Sequence, residues 1–147
     1  MNDSTYLQIN QALFSLCHSY QTRMSKESRG RPDMLSLSDR AVLMVLGQFA
    51  PMNSRRLSEY MDINPGTISV YVQRLVAGGL IRRERSSEDR RNWLLDLTTN
   101  GKTAYRETVE GAVHYTRDFL KALTEEEAII LHALLRKAVN KLGYSWQ

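Results

Sequence analysis

A chain of 147 residues with a formal net charge of +4 is long enough to bury a core without disulfides or metals, and basic enough to permit nucleic-acid binding. Its single cysteine, Cys17, excludes an intramolecular disulfide and any multi-cysteine metal site. No apolar run approaches the ~20 residues that span a bilayer, and the first residues lack the basic and apolar regions of a secretory signal. We therefore expect a soluble, cytoplasmic protein without a cofactor or a membrane partner.

The chain begins with two helical patterns. Residues 5–24 carry apolar side chains three and four apart, which predicts a long amphipathic helix. A polar stretch that contains glycine and proline predicts a loop over 25–34. Ser36 followed by Asp39 resembles a capping box, and it predicts a second helix that ends near Phe49.

Two shorter helices are predicted to follow. Asn53 is suited to cap the first of them, and Asn64 caps the second, with Pro65 at the first helical position, where its missing N–H has no partner to lose. Gly78 and Gly79 end the second helix, since glycine adopts the left-handed conformation without strain. The core-facing positions of this helix are Ile68, Val72, Leu75 and Val76.

The opposite face of this second helix is short-chained, hydrogen-bonding and free of acids. It carries Thr67, Ser69, Val70, Tyr71, Gln73 and Arg74. Such a surface suits a helix that lies in the major groove of DNA, although Tyr71 is bulky for that position. The alternative is an ordinary amphipathic helix with a polar side toward solvent.

A β-hairpin is predicted next, with strands over 80–85 and 92–97 and a polar tip over 86–91. Trp93, Leu95 and Leu97 alternate along the second strand, which predicts one buried face. From 54 to 91 the sequence holds eight arginines against five acids, and most of these arginines belong to the hairpin. Arginine suits phosphate and the narrow minor groove, so the hairpin is a second candidate DNA contact. The alternative is a solvated, charged hairpin.

The last third of the sequence predicts two further helices. Thr98 caps the first of them, and Thr124 with Glu127 forms a capping box for the second. Both helices carry long apolar stripes, as does the helix over 5–24. The intervening unit is too small to bury three stripes, so we expect them to pack together and leave apolar surface for a partner subunit. The alternative is a monomeric helical cap.

The order and spacing of several short motifs resemble those of the MarR (multiple antibiotic resistance regulator) family. The matching residues are Leu35-Ser36, Val42-Leu43, Leu57-Ser58-Glu59, Thr67-Ile68-Ser69, Leu75, Gly79-Leu80-Ile81, Asp89-Arg90-Arg91, Leu97-Thr98 and Gly101. The resemblance implies a mainly α fold with a small antiparallel β-hairpin, in which a winged helix-turn-helix is flanked by N- and C-terminal dimerisation helices. The implied boundaries are 1–34 for the N-terminal helix and loop, 35–98 for the winged unit and 99–147 for the C-terminal helices.

The resemblance also implies a transcriptional regulator, a repressor, that binds a palindromic operator of double-stranded DNA as a homodimer. The expected contacts of the recognition helix are Pro65, Gly66, Thr67, Ser69, Val70, Gln73 and Arg74. Those of the wing are Arg82, Ser86, Asp89, Arg90 and Arg91, with Asp89 holding the tip through an ion pair with an arginine.

Family members commonly bind a small-molecule effector between the dimerisation helices and the winged unit. His18, Tyr20, Arg23 and Trp93 could contribute to such a site, although each also has a plain structural or surface explanation. The pocket itself is not identifiable from the sequence.

Cys17 and the winged unit each permit another function. One branch of the family senses organic hydroperoxides through a cysteine on the first helix, where Cys17 lies, but Cys17 also fits the apolar stripe as a buried residue. A winged helix can instead serve as a protein-docking module. No metal-ligand spacing, nucleophile–base pair or phosphate-binding glycine loop indicates a metal site or an enzyme.

Overall fold

The computed structural model describes residues 2–28, 35–88 and 91–141, and among these it contains six α-helices and one two-stranded antiparallel sheet. The elements are α1 (Asp3–Ser28), α2 (Leu37–Phe49), α3 (Ser54–Met61), α4 (Pro65–Ala77), β1 (Ile81–Arg85), β2 (Trp93–Leu97), α5 (Thr99–Phe119) and α6 (Glu125–Lys141). A single 3-10 turn joins α5 to α6. The predicted fold class, mainly helical with one small hairpin as the wing, is confirmed.

The helix starts follow from local side-chain chemistry. At each of the five predicted caps, the side-chain oxygen accepts a hydrogen bond from the backbone N–H three residues later. These caps are Ser36, Asn53, Asn64, Thr98 and Thr124. The carboxylates of Asp39 and Glu127 accept a hydrogen bond from the backbone N–H of their own cap residue, which completes two capping boxes.

The core lies inside the winged unit. Its buried side chains come from α2, α3, α4 and both strands: Val42, Leu43, Val45, Leu46, Met52, Leu57, Ile68, Val72, Leu75, Ile81, Leu95 and Leu97. Because α4 contributes Ile68, Val72 and Leu75, one face of this helix is fixed in the core. Its opposite face is thereby held outward.

In the first helix and the wing, two sequence-based expectations differ from the structure. Residues 25–28, predicted as loop, continue α1, since glycine and proline first occur beyond them; the rest of the predicted loop, 29–34, lies outside the described residues. Trp93, predicted to be buried, is 49% exposed. It lies at the outer end of β2, where the Arg85 guanidinium lies 5.1 Å from the centre of its ring.

The turn that follows α4 determines where the wing and α5 begin. Gly79 has φ +70°, the left-handed conformation that turns the chain out of the helix and into β1. The Thr98 backbone N–H donates to the Leu80 carbonyl at 3.1 Å, and its hydroxyl donates to the Gly79 carbonyl at 2.6 Å. Gly101, in the first turn of α5, lies so close that a Cβ there would overlap the Leu80 carbonyl oxygen. The start of α5 therefore packs directly on this corner.

We predict that Gly101→Ala lowers the free energy of unfolding by about 1–3 kcal/mol, because the added methyl group must displace backbone atoms. Gly111→Ala, on the same helix, is the matched control: its Cβ meets no atom within 4 Å, and alanine favours a helix over glycine. Urea unfolding followed by circular dichroism measures both. Equal midpoints for the two variants would contradict the contact at Gly101.

Candidate nucleic-acid interface

The outward face of α4 is a continuous stripe. Its residues are three or four positions apart and therefore share one side of the helix: Gly66, Ser69, Val70, Gln73 and Ala77. All five are exposed, and Val70 is 56% exposed although it is apolar. Pro65, at the first helical position, is also exposed, whereas Thr67 is partly buried. Six of the seven predicted recognition-helix residues thus lie on α4 with at least part of their surface accessible and without a charged partner, and Arg74 differs from them.

Arg74 forms an ion pair with a residue of another helix. Its Nη2 lies 2.6 Å and its Nε 2.9 Å from Oδ1 of Asp39, in the first turn of α2. Nη2 also lies 3.3 Å from the hydroxyls of Ser36 and Ser38. The Arg74 side chain is 49% exposed while that of Asp39 is 6% exposed. Two of the three side-chain nitrogens of Arg74 are thus engaged in joining α4 to α2, and its contact with a base stays a prediction that competes with this ion pair.

Tyr71 is also placed differently from the prediction. Sequence analysis put it on the groove-facing side, but it is partly buried and packs against the core. The Arg74 guanidinium lies 5.5 Å from the centre of its ring. Tyr71, whose bulk is unsuited to a groove-facing position, therefore lies off the outward face of α4.

Sequence analysis missed the role of Asp39. It identified the residue as a capping-box acid, which the structure confirms, but not as the partner of an arginine 35 positions later. The available signal was the single basic residue on the recognition helix together with an acid at the start of α2. The spacing of Asp39 and Arg74 along the chain does not indicate that α2 and α4 are in contact at these residues.

At the base of the wing, Arg82 is neutralised within the chain. It pairs with Asp96 across the hairpin at 2.7 Å and with Glu84 on its own strand at 3.2 Å. Burial acts to raise the pKa of Asp96, but the hydrogen bonds from Arg82 and the Leu97 N–H and the charges of Arg82 and Lys102 outweigh it, so this pKa is lowered. Arg82 therefore stabilises the hairpin, and a DNA contact from it competes with two acids.

The tip of the wing is organised by Ser86. Its backbone N–H donates to the Asn92 carbonyl at 2.9 Å, and its hydroxyl accepts from the Glu88 N–H at 3.2 Å. Arg91 is exposed beside the second strand. Asp89 and Arg90, and with them the predicted Asp89 ion pair, lie outside the described residues.

A cavity of about 340 Å³ lies behind the winged unit, between α1, α2, α3 and α5. Its lining is mainly apolar and consists of Tyr20, Leu37, Arg40, Ala41, Met44, Val45, Tyr60, Met61, Thr108 and Ala112. Burial raises the pKa of the Tyr60 hydroxyl. Of the four residues considered for an effector site, Tyr20 alone is among these lining residues. His18 stacks on Phe14, Arg23 pairs with Asp118 at 3.3 Å, and Trp93 lies under Arg85.

The structure also bears on the cysteine, metal and membrane sites that the sequence raised. Cys17, expected to be buried in the apolar stripe of the first helix, is exposed in the isolated chain, because the stripe of α1 is itself largely uncovered. Among the described residues, no group of three or more His, Cys, Asp or Glu side chains is placed to hold a metal ion. None of the described helices has the length and apolar character needed to cross a membrane.

Comparison with known proteins identifies the family. A model of the MarR family matches residues 35–92. The HTH-type transcriptional repressor MdtR of Bacillus subtilis is 30% identical over 107 residues, which cover 67% of this chain and 69% of that protein. The organic hydroperoxide resistance transcriptional regulator of the same organism is 24% identical over 111 residues, 74% of this chain and 76% of the relative.

The fold is also found among solved structures. FabT of Streptococcus pneumoniae, solved in complex with DNA, superposes with a TM-score of 0.80 at 23% identity, over 94% of this chain and 97% of that one. The 30% identity to MdtR over about two thirds of each chain and the match of the family model to residues 35–92 identify the family as well as the fold. The chain therefore belongs to the MarR family of winged helix-turn-helix, DNA-binding transcriptional regulators.

Proposed function

We propose that the chain is a repressor that binds an approximately palindromic operator as a homodimer and releases it when a small ligand binds. The observation that carries the proposal is the outward face of α4. It is uncharged and exposed, while the opposite face of the same helix is fixed in the core by Ile68, Val72 and Leu75. A helix held in this way can enter a major groove without a change in the fold.

The wing supplies a second contact with the duplex. Arg83 and Arg91 are exposed on the hairpin. Arginine donors suit phosphate oxygens and the narrow minor groove beside a major-groove helix. Arg82, neutralised by Asp96 and Glu84, is left with a structural role in this arrangement. Arg91, which lies next to the tip of the hairpin, is the residue of the described wing that we expect to contact DNA.

The homodimer is supported by uncovered apolar surface on α1 and α6. No described side chain of either helix is buried, which leaves large apolar groups in solvent in the isolated chain. On α1 these are Tyr6, Leu7, Ile9, Leu13, Phe14 and Leu16, and on α6 they are Ile129, Ile130, Leu134 and Leu135. A second copy related by a twofold axis covers both sets at once, and it places two recognition helices about one helical turn, ~10 bp, apart.

The cavity between α1, α2, α3 and α5 is the proposed effector site. Its mainly apolar wall accommodates a small apolar or aromatic molecule, and Arg40 at its border suits an acidic group on that molecule. Ligand binding releases DNA only if the ligand prefers the conformation that does not fit the operator. A screen of small aromatic acids for a rise in melting temperature identifies candidates.

The proposal as a whole is tested by selecting genomic fragments with the purified protein over a series of salt concentrations. We expect a palindrome with half-sites one helical turn apart and an affinity that falls steeply with salt, because phosphate contacts release counterions. Recovery of no sequence above background, with a shallow dependence on salt, would favour a protein-docking module instead.

For the dimer, we predict that Leu13→Glu combined with Leu134→Glu yields a monomer, since both leucines are exposed apolar groups of the proposed interface. Light scattering after size exclusion should give twice the 16.9 kDa chain mass for the unmodified protein and one chain mass for the double variant. Val70→Glu, which introduces one glutamate at an apolar residue of α4 that is exposed to a similar degree, should remain dimeric. A double variant that also remains dimeric would contradict the interface.

For the wing, we predict that Arg91→Ala weakens operator binding and reduces the magnitude of the salt slope by about 2 per dimer, one phosphate contact in each subunit. Arg117→Ala, which removes an exposed arginine of α5, is the control and should leave the slope unchanged. Unchanged affinity and slope for Arg91→Ala would remove this arginine from the mechanism.

A further inference from the structure

We infer that α4 recognises A·T base pairs, with Val70 in contact with a thymine methyl group and Gln73 hydrogen-bonded to an adenine. The inference rests on the proposed function, in which α4 lies in the major groove, and it names the bases read there. Two features support it. The one arginine of α4, Arg74, is engaged within the chain, and the outward face of the helix presents the apolar side chain of Val70.

The first feature is the engagement of Arg74. It is the single charged side chain of α4, and arginine or lysine bonded to guanine is the commonest specific contact in a major groove. Its Nε and Nη2 are bonded to Asp39, which is nearly inaccessible to solvent. Turning both nitrogens toward a guanine would leave that carboxylate buried without its cation. The outward face of α4 is therefore without an arginine or lysine that is free to make the commonest guanine contact.

The second feature is the exposure of Val70. This side chain is 56% exposed on the outward stripe of α4, between Ser69 and Gln73, so the fold leaves more than half of its apolar surface uncovered. In the major groove the C5 methyl group of thymine is the apolar partner that the bases offer. The β-branched side chain has few rotamers in a helix, so its methyl groups are held in place before binding. Val70 is thus suited to distinguish thymine from cytosine, which lacks that methyl group.

Gln73 extends the recognition to a neighbouring base pair. It is exposed, three residues after Val70 on the same side of α4, so the two Cβ atoms are about 5–6 Å apart. That separation corresponds to one or two base steps at about 3.4 Å per step. The glutamine Nε2 can donate to N7 of adenine while its Oε1 accepts from the N6 amino group, the bidentate geometry that favours this base.

The test uses synthetic duplexes that carry the palindrome recovered by selection. Each thymine of a half-site is replaced singly by deoxyuridine, which removes the methyl group and keeps every hydrogen bond. For the unmodified protein, one thymine in each half-site should show an affinity loss of about fourfold, the effect of uncovering one methyl-sized group. Val70→Ala should bind the thymine and uracil duplexes equally, whereas Val70→Thr, which keeps one methyl group, should retain the preference.

Val113→Ala is the matched control, because Val113 is exposed to a similar degree on α5, and it should retain the uracil effect in full. A parallel series with 7-deazaadenine, which lacks the N7 acceptor, should weaken binding by the unmodified protein but not by Gln73→Ala. Circular dichroism melting confirms that each variant is folded.

The outcomes separate the inference from the function beneath it. If no palindrome is selected, the proposed function fails and the inference falls with it. If a palindrome is selected and bound, but no thymine methyl matters or Val70→Ala keeps the fourfold uracil effect, the assignment of Val70 is overturned while the regulator stands. If the 7-deazaadenine loss persists in Gln73→Ala, the adenine contact belongs to another residue.

Discussion

The burial of one face of α4 is the constraint on which the rest of the structure depends. Ile68, Val72 and Leu75 are almost inaccessible to solvent, and together they fix the rotation of the helix about its own axis. A rotation by one residue, about 100°, would expose part of this apolar surface and bury polar groups. The outward stripe is therefore as well defined as the core. The winged unit therefore holds the outward face of α4 in one orientation through its own core.

α2 connects the two sites of the proposed mechanism. It contributes Leu37, Arg40 and Ala41 to the cavity, and in the same turns it pairs with the recognition helix through Asp39 and Arg74. A ligand that shifts α2 within the cavity must move that ion pair or strain it. The proposed effector and the operator would then compete through one helix, in the manner of two ligands that prefer different conformations of the same protein. The pair is half exposed on the arginine side, so its strength is partly screened by solvent.

Local patterns in the sequence were sufficient for the elements and their caps, because a cap such as Asn64 and its donor, the Thr67 N–H, are three residues apart. They also placed Val70 and Gln73 on an outward face, since helical periodicity fixes which residues share a side. The pairing of Arg74 with Asp39 could not be predicted, because it depends on the crossing of α2 and α4 and not on any spacing along the chain. The exposure of Cys17 was missed for a related reason: its stripe is apolar, but the described part of the chain leaves that stripe largely uncovered.

The central claim is that two copies of α4 enter successive major grooves on one side of a duplex. Hydroxyl-radical footprinting of the selected operator measures this directly. The account predicts two protected tracts per strand, about 10 bp apart from centre to centre and related by the dyad of the palindrome. A single protected tract, or uniform weak protection without a dyad, would contradict the dimeric recognition on which the account is built.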